Sequence, residues 1–168
     1  MTYFAYGSNM LTNRLVSRCC GAKTIGPAFL TGYTLSFDKR SVDGSGKCTI
    51  RPTDSPSDVV HGLLFTIPSS QVPDLDRAEG KGYARVPIQV ETEDNNVVRA
   101  ETYAAKEAKI DPLAKPYNWY LDLVVTGAEM HGLPKAYIDK LRTAHGIPDP
   151  TPQRSEKLEA LKQLGRSE

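Results

Sequence analysis

The sequence lacks long hydrophobic runs and an excess of charge of either sign. None of its apolar stretches reaches the roughly 20 residues that a membrane-spanning helix needs. Its 21 basic and 20 acidic residues leave a formal net charge of +1, so nothing attracts the chain electrostatically to nucleic acid or to an anionic membrane. We therefore expect neither a nucleic-acid partner nor a membrane partner.

Cysteine is also scarce, with only three in 168 residues. The count is odd and Cys19 is adjacent to Cys20, so with Cys48 they make a poor disulfide framework. The N-terminus has no basic segment followed by an apolar stretch, which a secretory signal would require. These absences predict a reduced, cytoplasmic protein.

Metal-binding spacings are missing as well. His61, His131 and His145 are far apart, and the sequence has neither a Cys-x-x-Cys nor a His-x-x-x-His pair. The segment "DGSGKCT" resembles the end of a nucleotide phosphate loop, but that motif requires glycine at Ser41 and a hydroxyl residue at Cys48. We expect no metal and no cofactor, and we interpret this segment as a loop rich in turn residues.

The length fits one domain with a proper core. We assign residues 1–145 to that domain and residues 146–168 to a polar C-terminal tail with a short helix from about Ser155. Predicted strands dominate up to about Ala105 and predicted helices follow, an order typical of the α+β class with a mixed or barrel-like sheet.

Periodicity places the individual elements. Alternation such as that in "YARVPIQVET" predicts strands, and spacings of three, four and seven predict helices. The predicted strands cover residues 1–6, 33–37, 49–51, 59–67, 83–92 and 97–104. The predicted helices cover 10–16, 69–80, a segment from 116 bearing Tyr120, Leu123, Val124 and Gly127 on one face, and a segment from 134 bearing Tyr137, Ile138 and Leu141.

The first candidate site is "YGSN", directly after the first predicted strand. Gly7 permits unusual backbone conformations and a close approach of ligand to the main chain. Ser8 and Asn9 favour an ordinary helix cap when taken alone. The unpaired N–H groups at the start of a helix also attract carboxylates and phosphates, so the turn fits either a cap or a substrate cradle.

The second candidate is Glu79, on the predicted helix that ends at Gly80. It follows Val72 and Leu75 by seven and four positions, which places a carboxylate on the apolar face. An inward glutamate is costly unless something pairs or uses it, and a positioned carboxylate suits proton transfer. The alternative is a partly exposed glutamate at the helix end, bonded to a backbone amide.

The eight tyrosines are numerous beside a single tryptophan. A tyrosine combines an apolar ring with a polar hydroxyl, which suits a pocket that is apolar and also forms hydrogen bonds. Tyr6, Tyr83, Tyr103 and Tyr120 fall on or beside predicted elements near the other candidates, although most tyrosines are ordinary residues of the core edge.

Four stretches, in this order, resemble the γ-glutamylcyclotransferase superfamily. They are "YFAYGSNM", "VVHGLLFTI", "LDRAEG" and "YLDLVVTGAEMHGLPKAYIDKL". The resemblance covers roughly residues 3–143. It implies a small mixed β-barrel with surrounding helices, and a reaction that converts a γ-glutamyl compound into 5-oxoproline and a free amine.

The same resemblance assigns roles to residues. Glu79 would be the general acid and base, and the backbone of the "YGSN" turn would bind the glutamyl end or the developing oxyanion. The substrate-binding set it implies, for a small-molecule γ-glutamyl substrate, is Tyr3, Phe4, Ala5, Tyr6, Gly7, Ser8, Asn9, Tyr83, Tyr103 and Tyr120.

Several questions stay open at this stage. Members of the superfamily act on γ-glutamyl amino acids, γ-glutamyl amines, glutathione or γ-glutamyl-protected intermediates, and the loop 38–58 should decide among them. Its Lys39, Arg40, Lys47 and Arg51 either accept an acidic leaving group or are simply solvated. A binding module without turnover and a purely structural protein with an exposed Glu79 are the competing hypotheses, and a homodimer is left open.

Overall fold

The computed structural model describes residues 1–151, in which strands precede helices. The tail helix predicted from Ser155 lies outside these residues. The strands are β1 Thr2–Ala5, β2 Lys23–Thr31, β3 Tyr33–Arg40, β4 Gly46–Pro52, β5 Val59–Thr66, β6 Tyr83–Thr92 and β7 Val97–Ala105. The helices are α1 Thr12–Val16, α2 Val72–Glu79, α3 Asn118–Met130 and α4 Lys135–Arg142, with 3₁₀ turns at Ser8–Met10, Ser69–Gln71 and Glu107–Lys109.

Five strands close into a mixed barrel in the order β1, β5, β2, β6, β7. β1 is antiparallel to β5 and parallel to β7, where Tyr3 is opposite Glu101. β2 joins β6 through only two residue pairs, Ala28 with Thr92 and Phe29 with Glu91. The predicted α+β class with a small mixed barrel is therefore confirmed.

The barrel lacks β3 and β4, which form a separate antiparallel hairpin. The loop predicted between these strands is much shorter in the structure, because Lys39 pairs with Lys47 and Arg40 with Gly46. A shift of register between Ser36 and Lys39 interrupts the alternation of side chains, as β-bulges do. That irregularity explains why the sequence pattern predicted strands ending at 37 and beginning at 49.

The strand β2 was missed by the sequence pattern. Its segment "KTIGPAFLT" contains Gly26 and Pro27, two residues that argue against a strand interior. The structure places a bulge between Thr24 and Gly26, and Gly26 adopts a φ of 155°. β2 accommodates both residues because the bulge interrupts the regular pairing just before them. The pairing with β5 then continues to Thr31.

Both C-terminal helices confirm their predicted faces. In α3, Tyr120, Leu123, Val124 and Gly127 are all buried. In α4, the buried residues are Tyr137, Ile138 and Leu141. The largest fully buried side chains of the core are Phe4, Phe65, Met10, Leu11, Leu15, Leu63, Leu64, Ile67, Leu75, Leu123, Val60 and Val90.

The first residues after position 145 contact the start of α3. The N–H of Ile147 donates to the Pro116 carbonyl at 2.9 Å, and the N–H of Asn118 donates to the Ile147 carbonyl at 2.9 Å. The indole N–H of Trp119 donates to Asp149 at 2.7 Å.

None of the helices between residues 1 and 151 has the length and apolar character that a membrane crossing requires.

Candidate active site

A cavity opens where β1 ends and the chain turns into Ser8–Met10. It gathers side chains from β1, β4, α2, β6, β7 and α3, which are far apart in sequence. Its lining residues are Tyr3, Tyr6, Gly7, Ser8, Asn9, Cys48, Glu79, Tyr83, Tyr103 and Tyr120. The structure thus brings together every predicted site residue except Phe4 and Ala5.

Phe4 and Ala5 lie in the protein core instead. Both are completely buried. The Phe4 carbonyl accepts a hydrogen bond from the Thr102 hydroxyl at 2.8 Å, and Ala5 is opposite Leu63 in the β1–β5 pairing. These two residues therefore anchor β1 in the barrel, and their side chains do not line the cavity.

Glu79 is the last residue of α2, and its side chain is 14% exposed. Its Oε1 accepts a hydrogen bond from the Asn9 Nδ2 at 2.7 Å and one from the Arg18 Nη1 at 3.1 Å. Within the described chain, its Oε2 has no hydrogen-bond partner. The contact with Asn9 contradicts the structural hypothesis, which required an exposed glutamate distant from the "YGSN" turn.

Asn9 uses its whole carboxamide inside the site. Its Nδ2 donates to the Tyr3 hydroxyl at 3.0 Å as well as to Glu79, while its Oδ1 accepts from Arg18 at 2.9 Å. Because an arginine can only donate, this contact fixes which way the amide points. The helix-cap interpretation of the turn is wrong, since neither Ser8–Met10 nor α1 has a side-chain cap hydrogen bond.

Two arginines that follow the turn in sequence form hydrogen bonds with residues of the site. Arg18 forms an ion pair with Glu79 and also holds Asn9. Arg14 donates to the Ser8 hydroxyl at 3.1 Å, and burial together with the charge of Arg18 lowers the pKa of Arg14 to about 10. Neither arginine was predicted as a site residue, because their contacts with Glu79 and Ser8 depend on the tertiary fold.

The hydroxyls of three cavity tyrosines are held by partners in the protein. Tyr6 donates to the Tyr103 carbonyl, Tyr103 donates to Asp76 at 2.6 Å, and Tyr3 accepts from Asn9. Burial raises the pKa of all three phenols, with nearby acidic groups adding to the effect. They therefore remain neutral near pH 7 and present fixed, uncharged walls.

Cys48 is a lining residue that the sequence analysis did not select as a site residue. Its backbone N–H donates to the Tyr120 hydroxyl at 3.1 Å, and its carbonyl accepts from the Tyr83 hydroxyl at 2.7 Å. Burial raises the pKa of its thiol to about 12, so it is not a thiolate nucleophile at neutral pH. Cys48 fixes two tyrosines through its backbone.

Gly7 has φ at −117° and ψ at −146°, a combination outside the helical and extended regions that most residues occupy. Glycine adopts such a conformation more readily than a residue with a Cβ. A Cβ at this position would lie 3.1 Å from the Cβ of Cys48 and 3.5 Å from the Tyr120 hydroxyl. The glycine therefore also leaves room for the hairpin and α3 to approach the turn.

The closed mixed barrel with its surrounding helices matches the γ-glutamylcyclotransferase-like class of fold. A solved structure of a protein named γ-glutamyl cyclotransferase matches 98% of this chain and 98% of its own chain, with a TM-score of 0.87 and 28% sequence identity. Residues 59–141 match the AIG2-like family.

Curated relatives add sequence evidence over most of the chain. The γ-glutamylcyclotransferase of Bos taurus is 32% identical over 84% of this chain and 77% of its own length. The γ-glutamylcyclotransferase of Homo sapiens is 29% identical over 99% of this chain and 89% of its own. The chain belongs to the γ-glutamylcyclotransferase family, and the predicted resemblance is confirmed.

Proposed function

We propose that the protein is a cyclotransferase that converts a γ-glutamyl compound into 5-oxoproline and a free amine, with Glu79 as general acid and base. Membership of the family supports the reaction class. The observation that carries the role of Glu79 is the asymmetry of its carboxylate, in which Oε1 is bound by Asn9 and Arg18 while Oε2 has no partner in residues 1–151. A general base needs such an unoccupied oxygen within reach of the proton that it removes.

The chemistry requires the substrate to react with itself. Glu79 takes a proton from the α-ammonium of the substrate, and the resulting amine attacks the γ-carbonyl carbon to form the ring C–N bond. Glu79 then gives that proton to the leaving nitrogen as the original C–N bond breaks. The lactam nitrogen keeps one hydrogen, and the second proton lost from the ammonium is balanced when the released amine becomes protonated.

Positioning does much of the work in such a ring closure. A flexible glutamyl chain has to be folded so that its two ends meet, and a fixed geometry removes much of that entropic cost. In our proposal, backbone N–H groups of Gly7, Ser8 and Asn9 bind the glutamyl carboxylate or the oxyanion that develops on the γ-carbonyl. The neutral tyrosines then form the walls around the chain.

We also propose that the protein is located in the cytoplasm. Cys19, Cys20 and Cys48 are all free thiols, which suits the reducing conditions of the cytoplasm. A role in the turnover of glutathione-derived γ-glutamyl compounds fits the reaction class. The expected absence of a nucleic-acid partner and the open question of a homodimer stay predictions.

The direct test is release of 5-oxoproline from a panel of γ-glutamyl substrates, followed by chromatography or NMR. The panel covers γ-glutamyl amino acids, γ-glutamyl amines and glutathione. Product from at least one substrate supports the proposal. Saturable binding of these compounds without product from any of them would support the alternative, a binding module of the same fold.

A further inference from the structure

Glu79 also borders a second opening, a cleft of about 690 Å³ beside the cavity. We call it the basic cleft, because four of its lining residues are cationic: Lys39, Arg40, Lys81 and Lys109. Its two acids are already engaged, since Glu79 pairs with Arg18 and Asp111 lies 4.0 Å from Arg40. Within the described residues, Lys39, Lys81 and Lys109 have no carboxylate partner.

Lys39 differs from the other cations of the basic cleft in being buried, at 8% exposure. Strand pairing fixes its backbone from both sides, with Lys47 opposite it in the hairpin and Ile110 opposite it in an isolated bridge. The bulge that precedes it turns its side chain inward, whereas the next residue, Arg40, is exposed. The pairing of its backbone on both sides therefore holds the Lys39 side chain against the basic cleft.

The ammonium of Lys39 lies next to the catalytic cavity. Its Nζ is 4.6 Å from the centre of the Tyr83 ring, and Tyr83 is itself a wall of that cavity. Burial lowers the pKa of Lys39, while the carboxylates of Glu79 and Asp43 oppose this effect. Lys39 and Glu79 both line the basic cleft, and Glu79 also lines the cavity.

A cation that is partly removed from water and has no paired anion loses part of its hydration, and a ring contact offsets only part of that cost. Asp43 does not supply the missing anion directly, because its carboxylate is bonded to Ser45 and Lys47. Lys39 has no hydrogen-bond acceptor within the described residues. An anion brought by the substrate would complete its surroundings.

We propose that Lys39 is a specificity-determining residue that binds a carboxylate on the leaving amine. The inference rests on the proposed function, since it takes Glu79 as the point where the γ-amide is cleaved. With the glutamyl part in the cavity, the amine beyond the scissile bond enters the basic cleft. The preferred substrates are then γ-glutamyl amino acids or peptides, and γ-glutamyl amines without a carboxylate are poor substrates.

The test compares two substrates that differ only by that carboxylate, γ-glutamyl-alanine and γ-glutamyl-ethylamide. We expect Lys39→Met and Lys39→Gln to lower kcat/KM for the alanine compound by about 10- to 100-fold, the effect of losing one charge-assisted hydrogen bond. The ethylamide should change by less than about 3-fold, because it never makes that bond. Lys39→Arg should keep most of the preference.

The matched control is Lys106→Met, which removes an exposed lysine outside the basic cleft and should leave both values unchanged. An equal loss on both substrates in the Lys39 variants would overturn the proposal, because it indicates a structural role. An unchanged preference would overturn it as well. Thermal unfolding of each variant identifies any loss that is due to misfolding.

A binding measurement separates this inference from the proposed function. If the parent protein releases no 5-oxoproline from any member of the panel, the proposed function fails, and calorimetry with γ-glutamyl-alanine and γ-glutamyl-ethylamide still tests Lys39. Tighter binding of γ-glutamyl-alanine that disappears in Lys39→Gln would support the carboxylate site. Equal affinity of the parent for both compounds would overturn it.

Discussion

At the scale of single residues, the site depends on how one carboxylate is held. Asn9 and Arg18 both donate to Oε1 of Glu79 and also contact each other, so the three side chains form a closed network. Such a network fixes the glutamate and leaves its second oxygen for the substrate. Arg18 is therefore a positioning residue that acts through Glu79 and Asn9.

Arg18→Gln tests this network. Removing the charge leaves Glu79 with one donor instead of two, so we expect kcat to fall by about 10- to 100-fold with a smaller change in KM, since the lost contact was charge-assisted. Arg18→Lys should recover part of kcat. A variant that raises KM while keeping the parent kcat would contradict the positioning role.

The residues of the site differ in how far their roles can be predicted from the sequence. The inward direction of Glu79 follows from its spacing to Val72 and Leu75 along one helix, which is local information. Arg18 is 61 positions away from Glu79 and lies beyond the end of α1, so no local periodicity links the two. Cys48 is equally hidden, because it acts through its backbone groups.

At the scale of elements, α3 packs directly against the turn that carries Asn9. A Cβ at Gly127 would lie 2.6 Å from the backbone N of Leu11 and 2.8 Å from the carbonyl carbon of Met10. These are backbone atoms, so a methyl group could be accommodated only by moving the helix away from the turn. The close approach of α3 therefore sets the position of the "YGSN" turn.

Gly127→Ala measures this contact. Alanine favours a helix over glycine by up to about 1 kcal/mol, but overpacking against backbone costs about 1–3 kcal/mol. We expect a net loss of unfolding free energy in urea, together with a lower kcat/KM because the turn shifts. Met130→Ala, at a partly exposed position on the same helix, should change stability by less than about 0.5 kcal/mol.

The elements also show where pattern reasoning fails. Clean alternation predicted β6 well, because Ile88 and Val90 are buried while the residue between them is exposed, and β7 was predicted as its hairpin partner after the turn. β2 was missed because its bulge at Gly26 breaks the alternation, and β3 was cut short by the irregularity before Lys39. Bulges are set by long-range pairing partners, which a single segment of sequence does not reveal.

At the scale of the whole molecule, one core supports both the barrel and the site. Leu64 lies on β5, pairs with Phe4 of β1 and is 1% exposed. Leu64→Ala should lower the unfolding free energy by about 2–5 kcal/mol, through lost burial and the cavity that remains. Leu113→Ala is the matched control, since Leu113 is 87% exposed and should change stability by less than about 0.5 kcal/mol.

A single core also predicts how the protein unfolds. Tryptophan fluorescence reports Trp119 near the site, and circular dichroism reports the barrel and the helices. Both signals should give the same urea midpoint in the parent and in Leu64→Ala. Two separated transitions would contradict the account of one cooperative unit.

The central claim is that Glu79 transfers the proton in ring closure, and its most direct measurement is the kcat of Glu79→Gln with the best substrate. The amide keeps the shape of the side chain but cannot act as a base, so kcat should fall by about 10²- to 10⁴-fold. Asp74→Asn removes a carboxylate from the same helix that forms an ion pair with Arg77 and should keep the parent kcat. A folded Glu79→Gln protein that releases 5-oxoproline at the parent rate would contradict the mechanism.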